Sequence, residues 1–236
     1  MARLNDYASP PTELVSLRRA GLAGIEKSGS TVTLGAGTSL SALLTDDRVS
    51  CLADVVRTIA SPPVRSLATV GGNLFVPQPH GDLAVALLAL DAELDLLDPD
   101  GPSTQSLDQF LAEPVRGDRL VVRVRFAEPT RSAFRFLKAA RRRLNSAAIA
   151  TIAARVELDG QRVVGIRVAL GGLAPGVVRA QNVEAALIGG RLDEAGLARA
   201  GHDGLADIAP RDDAYASAWY RTRVFPVHLR RALLGR

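Results

Sequence analysis

Through the first third of the chain, apolar positions come in short runs separated by turn formers. Residues 13–17, 22–26 and 31–34 are strand-length runs bounded by Pro10-Pro11, Gly21, Gly24 and Ser28-Gly29-Ser30. That pattern predicts three short strands. Ser39 stands where an N-cap belongs, ahead of Leu40, Leu43 and Leu44, and Leu52, Val55, Val56 and Ile59 then repeat at helical spacing until Ser61-Pro62-Pro63 ends the run. Residues 67–82 mix Gly71-Gly72, Pro77, Pro79 and Gly81 with few charges, which predicts an irregular loop of the kind that carries function. Asp82 opens an apolar helix over 83–90, residues 93–97 read as a strand, and Asp98-Pro99-Asp100-Gly101 reads as a turn.

The texture changes at Glu128-Pro129. The alternating run over 121–126 closes one unit, and a longer meander begins. The boundary therefore divides the chain into residues 1–128 and 129–236. The second unit reads as long strands at 133–139, 147–158 and 163–170, the last two joined by Asp159-Gly160, a two-residue hairpin signal. Helices are expected over 181–188, 193–205 and 214–234, the last with Trp219, Val224, Val227, Leu229 and Leu233 on or near its apolar side. Strands followed by segregated helices make the class α+β.

Composition narrows the function classes. The 236 residues are 47% hydrophobic and 23% charged, the balance of a folded globular protein. The net charge of +4 comes from 29 Lys and Arg against 25 Asp and Glu, and 6 Phe, 3 Tyr and 1 Trp are too few for a base-stacking surface, so nucleic acid is not expected as a partner. One cysteine, Cys51, excludes an intrachain disulfide or an iron–sulfur cluster held by this chain alone. It reads as a core residue in an apolar helical stripe. The amino terminus lacks a signal-peptide core and no stretch approaches the ~20 apolar residues of a membrane span, so a cytoplasmic protein is expected. His80, His202 and His228 are too scattered to assert a metal site.

Three segments stand out. In Ala68-Thr69-Val70-Gly71-Gly72-Asn73-Leu74 the two glycines allow close approach of a ligand and can turn backbone N–H groups toward an anion, with Thr69 and Asn73 beside them. The segment reads either as a phosphate cradle or as a tight connection. Asp82, next to Gly81, either bonds a ligand hydroxyl or caps its helix. Gly35-Ala36-Gly37-Thr38 lacks the third glycine and following acidic residue of a dinucleotide fingerprint and reads as a structural turn. In Phe136-Leu137-Lys138-Ala139-Ala140-Arg141-Arg142-Arg143, strand alternation puts Lys138 on one face with Phe134 and Phe136, an ammonium among apolar neighbours. The basic run itself reads as a solvated face or an anion site.

Taken in order, LGAGTSLSALL, IASPPVRSLATVGGNL, PHGDLAVALLALDAEL, FLKAARRRLNSAAIA and RVALGGLAPGVVRAQNVEAAL resemble the flavin-binding medium subunit of molybdenum hydroxylases, the family of carbon monoxide dehydrogenase and xanthine dehydrogenase. The stretch PTELVSLRRAGLAGI and the terminal SAWYRTRVFPVHLRRAL extend the likeness over nearly the whole chain. The resemblance implies an FAD-binding lobe of the PCMH, or vanillyl-alcohol-oxidase-like, type, followed by a CO dehydrogenase flavoprotein C-terminal-like domain.

It also implies that Ala68, Thr69, Gly72 and Asn73 face the flavin diphosphate, and that Asp82 holds a flavin hydroxyl with Gly81 beside it. Phe75 and Val76 would lie along the flavin, Val121 would touch the isoalloxazine, and Lys138 would sit near the ring edge, where a cation favours the anionic reduced form. No residue of the chain is implied to be catalytic. Electrons would arrive from an iron–sulfur small subunit and a molybdopterin large subunit and leave to NAD or another acceptor. The family carries a further N-terminal lobe of roughly fifty residues, the size of a minimal folding unit, which this sequence lacks. Three readings of that departure stay open: another polypeptide supplies the lobe, the start lies upstream, or the chain is a flavin-free descendant serving as a scaffold or small-ligand-binding subunit.

Overall fold

A computed structural model describes residues 13, 15–113, 119–130, 132–142 and 145–235. Its strands form two antiparallel sheets. The first has the order β1 (Ile25–Ser28), β2 (Thr31–Gly35), β5 (Leu120–Ala127), β3 (Glu93–Asp98), β4 (Gly101–Ser106). The second has the order β6 (Phe134–Ala140), β7 (Ala148–Asp159), β8 (Arg162–Gly171), β9 (Val178–Arg179).

Alternation explains the inward faces of the first sheet, where Val32 and Leu34 of β2 and Leu94 and Leu96 of β3 are buried. In β5 the buried residues Val121 and Val124 are three apart, because the pairing with β3 shifts register between Asp95 and Leu96 and skips Val122. Around this sheet lie the short helices α1 (Leu40–Leu43), α2 (Ala53–Arg57), α3 (Pro62–Leu67), α4 (Val70–Asn73) and α6 (Leu107–Ala112).

Helix α5 (Asp82–Ala89) joins the two units. Each of its residues is buried, so no face is left polar, as in a helix covered on all sides. It belongs to the core of the first sheet, a core that also takes in Ala153 of β7 and Ala169 of β8. The opposite face of the second sheet, with Ile152, Ala154 and Val168, packs on α7 (Gln181–Leu187), α8 (Glu194–Asp203) and α9 (Ala218–Leu234). Covered on both sides, residues 150–154 are an unbroken buried run.

Several expected elements are displaced. Glu13 and residues 15–17 have no regular structure, and the second run becomes a strand only at Ile25. The backbone before it is tied to the glycine-rich turn instead: Gly37 N–H donates to the Leu22 carbonyl at 2.7 Å and Gly24 N–H to Thr38 Oγ1 at 2.9 Å. The two prolines that end one helix begin another, because the first turn of a helix needs no N–H from them. In the terminal helix the buried side is Arg221, Phe225, Leu229, Ala232 and Leu233, while Trp219 and Val227 are exposed. The sequence-based phase mixed two faces. Pro10, Pro11 and Arg143 lie outside the described residues.

Cys51 packs against the first core, and burial, reinforced by Glu128, pushes its thiol up to about 11. The thiolate is the reactive species, so at pH 8 only about one molecule in a thousand presents it. Native protein should therefore react with an aromatic disulfide reagent at least tenfold more slowly than the denatured chain. Equal rates would show that the thiol is open to solvent.

Candidate functional site

Two glycine-bearing turns are laced together by backbone hydrogen bonds. In the first, the N–H groups of Gly35, Ala36, Gly37 and Thr38 donate to the carbonyls of Gly24, Val122, Leu22 and Gly35. None is left for an anion, so this is a structural turn, as its sequence predicts. In the second, Thr69 caps the single turn of α4 and accepts from Gly72 N–H at 3.1 Å. Val70 N–H donates to the Thr38 carbonyl, Gly71 N–H to that of Ala36, and Asn73 N–H to that of Thr69.

Four N–H groups of this segment are thus used inside the protein, which is the tight connection of the two readings its sequence allows. What faces outward is the exposed Cα of Gly72 and the Thr69 hydroxyl, whose proton has no acceptor among the described residues. Asn73 Oδ1, beside them, is buried and has no partner. An orphaned buried acceptor of this kind calls for a donor that the folded chain does not supply.

The glycines divide the work. A Cβ on Gly71 would lie 2.8 Å from the Ala36 Cβ, whereas one on Gly72 would meet only Thr69 Oγ1, at 3.0 Å. Gly71 is therefore needed for packing of the two turns, and Gly72 keeps an outward surface clear. Gly81, at φ 80°, caps α5 in the left-handed region with the Val76 and Asn73 carbonyls close by, a position that a side chain could not take without strain.

Asp82 and Lys138 meet in the interior. Lys138 Nζ donates to Asp82 Oδ2 at 2.7 Å and to the Thr58 carbonyl at 3.1 Å, while Thr151 Oγ1 donates to Asp82 Oδ1 at 2.6 Å. Both side chains are less than a tenth exposed. The face shared by Phe134, Phe136 and Lys138 is thus turned to the core, and Lys138 is not part of a solvated basic patch. Asp82 does not cap its helix, since Gly81 is the N-cap and no side chain caps it; its carboxylate instead ties α5 to β6 and β7.

The remaining expected residues are spread out. Phe75 is exposed, edge-on to Phe110 with ring centroids 5.6 Å apart, and Val76 is half-buried. Ala68 accepts from Leu40 N–H and anchors the α4 turn. Val121 is only 2% exposed, opposite Leu96 in the core. It stays in the core and presents almost no side-chain area to a ring. The loop before α5 is pinned to the second sheet, with Gly172 N–H donating to Gln78 Oε1 at 2.7 Å and Ala148 N–H to the Pro79 carbonyl at 3.1 Å.

One residue at this junction escapes sequence reasoning. Arg221, 1% exposed, donates through Nη1 to the carbonyls of Ala148, Ile149 and Gly172 and through Nη2 to Asp213 at 2.6 Å. Its signal in the sequence is faint: a basic residue in phase with Phe225 and Leu229.

Residues 2–128 match the family described as FAD binding domain in molybdopterin dehydrogenase, and residues 135–235 match CO dehydrogenase flavoprotein C-terminal domain. The chain belongs to the molybdopterin dehydrogenase flavoproteins. It is 29% identical over 235 residues to the carbon monoxide dehydrogenase medium chain of Hydrogenophaga pseudoflava, covering 94% of this chain and 81% of that one. It is 30% identical over 240 residues to the 6-hydroxypseudooxynicotine dehydrogenase complex subunit alpha of Paenarthrobacter nicotinovorans, covering 98% and 81%. A crystal structure of cyanide-inactivated Cu,Mo-CO dehydrogenase superposes with a TM-score of 0.90 at 26% identity, over 99% of this chain and 85% of that one.

The cofactor of such a flavoprotein is FAD. The orphaned Asn73 acceptor, the outward Thr69 hydroxyl and the clear surface over Gly72 fit a ligand with hydroxyl and phosphate oxygens. The exposed Phe75 ring fits an apolar plane. Among the described residues, no helix is long and apolar enough to cross a membrane.

Proposed function

We propose that the chain is the electron-transferring FAD subunit of a molybdenum hydroxylase, taking electrons from an iron–sulfur small subunit that a molybdopterin large subunit feeds, and passing them to NAD or another acceptor. Residues 1–128 form the FAD lobe and residues 129–236 the C-terminal domain, in the cytoplasm. The observation that carries the reading is the turn at Thr69–Asn73, where the Thr69 hydroxyl, an exposed Gly72 and a buried, unpartnered Asn73 amide oxygen fall within one helical turn.

Bound FAD would supply the chemistry of accepting electrons singly or in pairs and releasing them to an acceptor. The chain's residues bind and orient. Thr69 would donate a hydrogen bond from its hydroxyl to a phosphate oxygen, Gly72 would leave room for that oxygen, and the Asn73 amide oxygen would accept a hydrogen bond from a ligand hydroxyl. Phe75 lies against the apolar part of the ligand. Asp82 retains lone pairs for a second hydroxyl, and Lys138 and Thr151 hold its carboxylate in place.

The glycine pair supplies the test. Gly72→Val should lower FAD affinity at least tenfold, a change of about 1.4 kcal/mol, with the melting temperature nearly unchanged. Gly71→Val, driven into Ala36, should instead lower the melting temperature. Flavin fluorescence titrations beside thermal melts separate the two effects. Unchanged FAD affinity in folded Gly72→Val would remove this turn from the site.

A further inference from the structure

The segment between the Thr69–Asn73 turn and Asp82 has no core to hold it. From Phe75 to His80 no residue is buried and none belongs to a helix or strand. Its internal backbone bonding is one turn, from His80 N–H to the Pro77 carbonyl at 3.1 Å. A stretch with so little burial is ordinarily loosely held, yet this one leads directly into Gly81 and Asp82.

Gln78 supplies the support with both ends of its amide. Oε1 accepts from Gly172 N–H at 2.7 Å, and Nε2 donates to the His80 carbonyl at 2.7 Å. These two bonds fix which way the amide faces, since turning it over would set donor against donor and oxygen against oxygen. The anchor is itself held, because Arg221 donates to the Gly172 carbonyl at 2.5 Å. Gly171 leaves the room: a Cβ there would lie 2.9 Å from Gln78 Oε1 and 2.7 Å from Val85 Cγ2.

What this clamp orients is the peptide between His80 and Gly81. A trans peptide directs its carbonyl and its N–H to opposite sides, so a His80 carbonyl turned to Gln78 sends the Gly81 N–H the other way. Gly81 is buried, and its N–H has no acceptor among the described residues. Asn73, whose Oδ1 is buried and unpartnered, is a close neighbour, with its carbonyl 3.2 Å from a Cβ built on Gly81. An open donor and an open acceptor on neighbouring residues suit a ligand hydroxyl, which both accepts and donates.

We infer that Gln78 is a positioning residue of the flavin site, its amide turning the Gly81 N–H toward the ligand and holding the head of α5, with Asp82, in the binding geometry. This rests on the flavin reading above. A segment ordered in advance need not be ordered at the moment of binding, and affinity gains by that difference.

Flavin fluorescence titrations beside thermal melts test it. Gln78→Met, similar in length but without donor or acceptor, should weaken FAD binding about tenfold, with the melting temperature nearly unchanged because the segment adds nothing to the core. Gln78→Glu keeps an acceptor for Gly172 N–H but at neutral pH has no proton for the His80 carbonyl, and should weaken FAD by a similar factor. In the background of Asp82→Leu with Lys138→Met, the Gln78→Met change should cost less than about threefold, because residues that act as a unit lose affinity non-additively.

Wild-type affinity in both Gln78 variants overturns the positioning role while the flavin reading stands. So does an equal loss in the two backgrounds, or a loss that only follows a lowered melting temperature, since either assigns Gln78 to the fold. Should Gln78→Met fail to fold, Gln78→Glu decides in its place. A wild-type chain that binds no FAD overturns both readings.

Discussion

Replacing Arg221 with Met should destabilise the protein by about 3–5 kcal/mol, the cost of breaking a buried ion pair from one side. For a chain of this size that corresponds to a fall of roughly 10 °C in melting temperature. The guanidinium is the shared donor for three carbonyls at the start of β7 and the end of β8, and it binds Asp213 in the segment leading into α9. Methionine fills much of the space but donates nothing, so the three carbonyls lose a shared donor and the Asp213 carboxylate keeps only the Tyr215 and Ala216 N–H groups. Arg221→Lys should recover only part of the loss, because an ammonium cannot reproduce the planar fork.

Acid should act at the same place. Burial raises the Asp213 carboxyl, but the N–H groups of Ala216 and Tyr215 and the Arg221 guanidinium outweigh it and hold the pKa below the usual value. A carboxyl depressed on folding contributes stability above its unfolded pKa, near 3.9, and loses it as pH falls through the folded value. Asp213→Asn should therefore remove part of the wild-type acid sensitivity below about pH 4. Thermal melts at neutral pH, and denaturant melts from pH 6 to 3, check both statements. An Arg221→Met protein as stable as the wild type would mean that the carbonyls find other donors.

How far the sequence carries can be traced residue by residue. The long strands of the second unit and helix α5 are legible because their burial is written as runs: the unbroken apolar stretch over 83–90 follows Gly81-Asp82 and is rich in Leu and Ala, which favours a helix buried on all sides over a doubly covered strand. Ser39 and Ser106 both cap helices, each ahead of apolar residues at the same spacing: Leu40, Leu43 and Leu44 after the first, Leu107, Phe110 and Leu111 after the second. Strand β4, with the sequence GPSTQS, has no apolar alternation and, among the described residues, pairs with β3 alone. Such an edge strand, tolerant of proline, is set by its neighbour.

At the candidate site the glycine pair was legible as a place of close approach, but the partners of its N–H groups were not. They depend on the Gly35–Thr38 turn, more than thirty residues away in sequence, whose register against α4 no local pattern encodes. Lys138 was readable as a cation on an apolar face. That its counter-ion is Asp82, 56 positions earlier, depends on how α5 lies across the second sheet.

Lys138→Met should accordingly destabilise the fold by about 3–5 kcal/mol, because it strands a buried carboxylate. Asp82 would keep its bond from Thr151 but lose the ammonium, and the Thr58 carbonyl would lose its donor as well. Replacing both charges, as Asp82→Leu with Lys138→Met, should recover much of that loss, since an apolar pair of similar volume asks for no partner. The pair's coupling energy is the difference between the double mutant and the sum of the singles, and denaturant melts of the four proteins measure it.

FAD binding separates structural from functional meaning. If Asp82 only joins α5 to the second sheet, the double mutant regains both stability and flavin. If Asp82 also accepts a ligand hydroxyl, the double mutant folds but binds FAD at least tenfold more weakly, because each charge-assisted bond is worth about 1.5–3 kcal/mol. The second outcome is expected, with Lys138 acting as the residue that positions Asp82. Full flavin affinity in the stable double mutant would assign the pair to the fold alone.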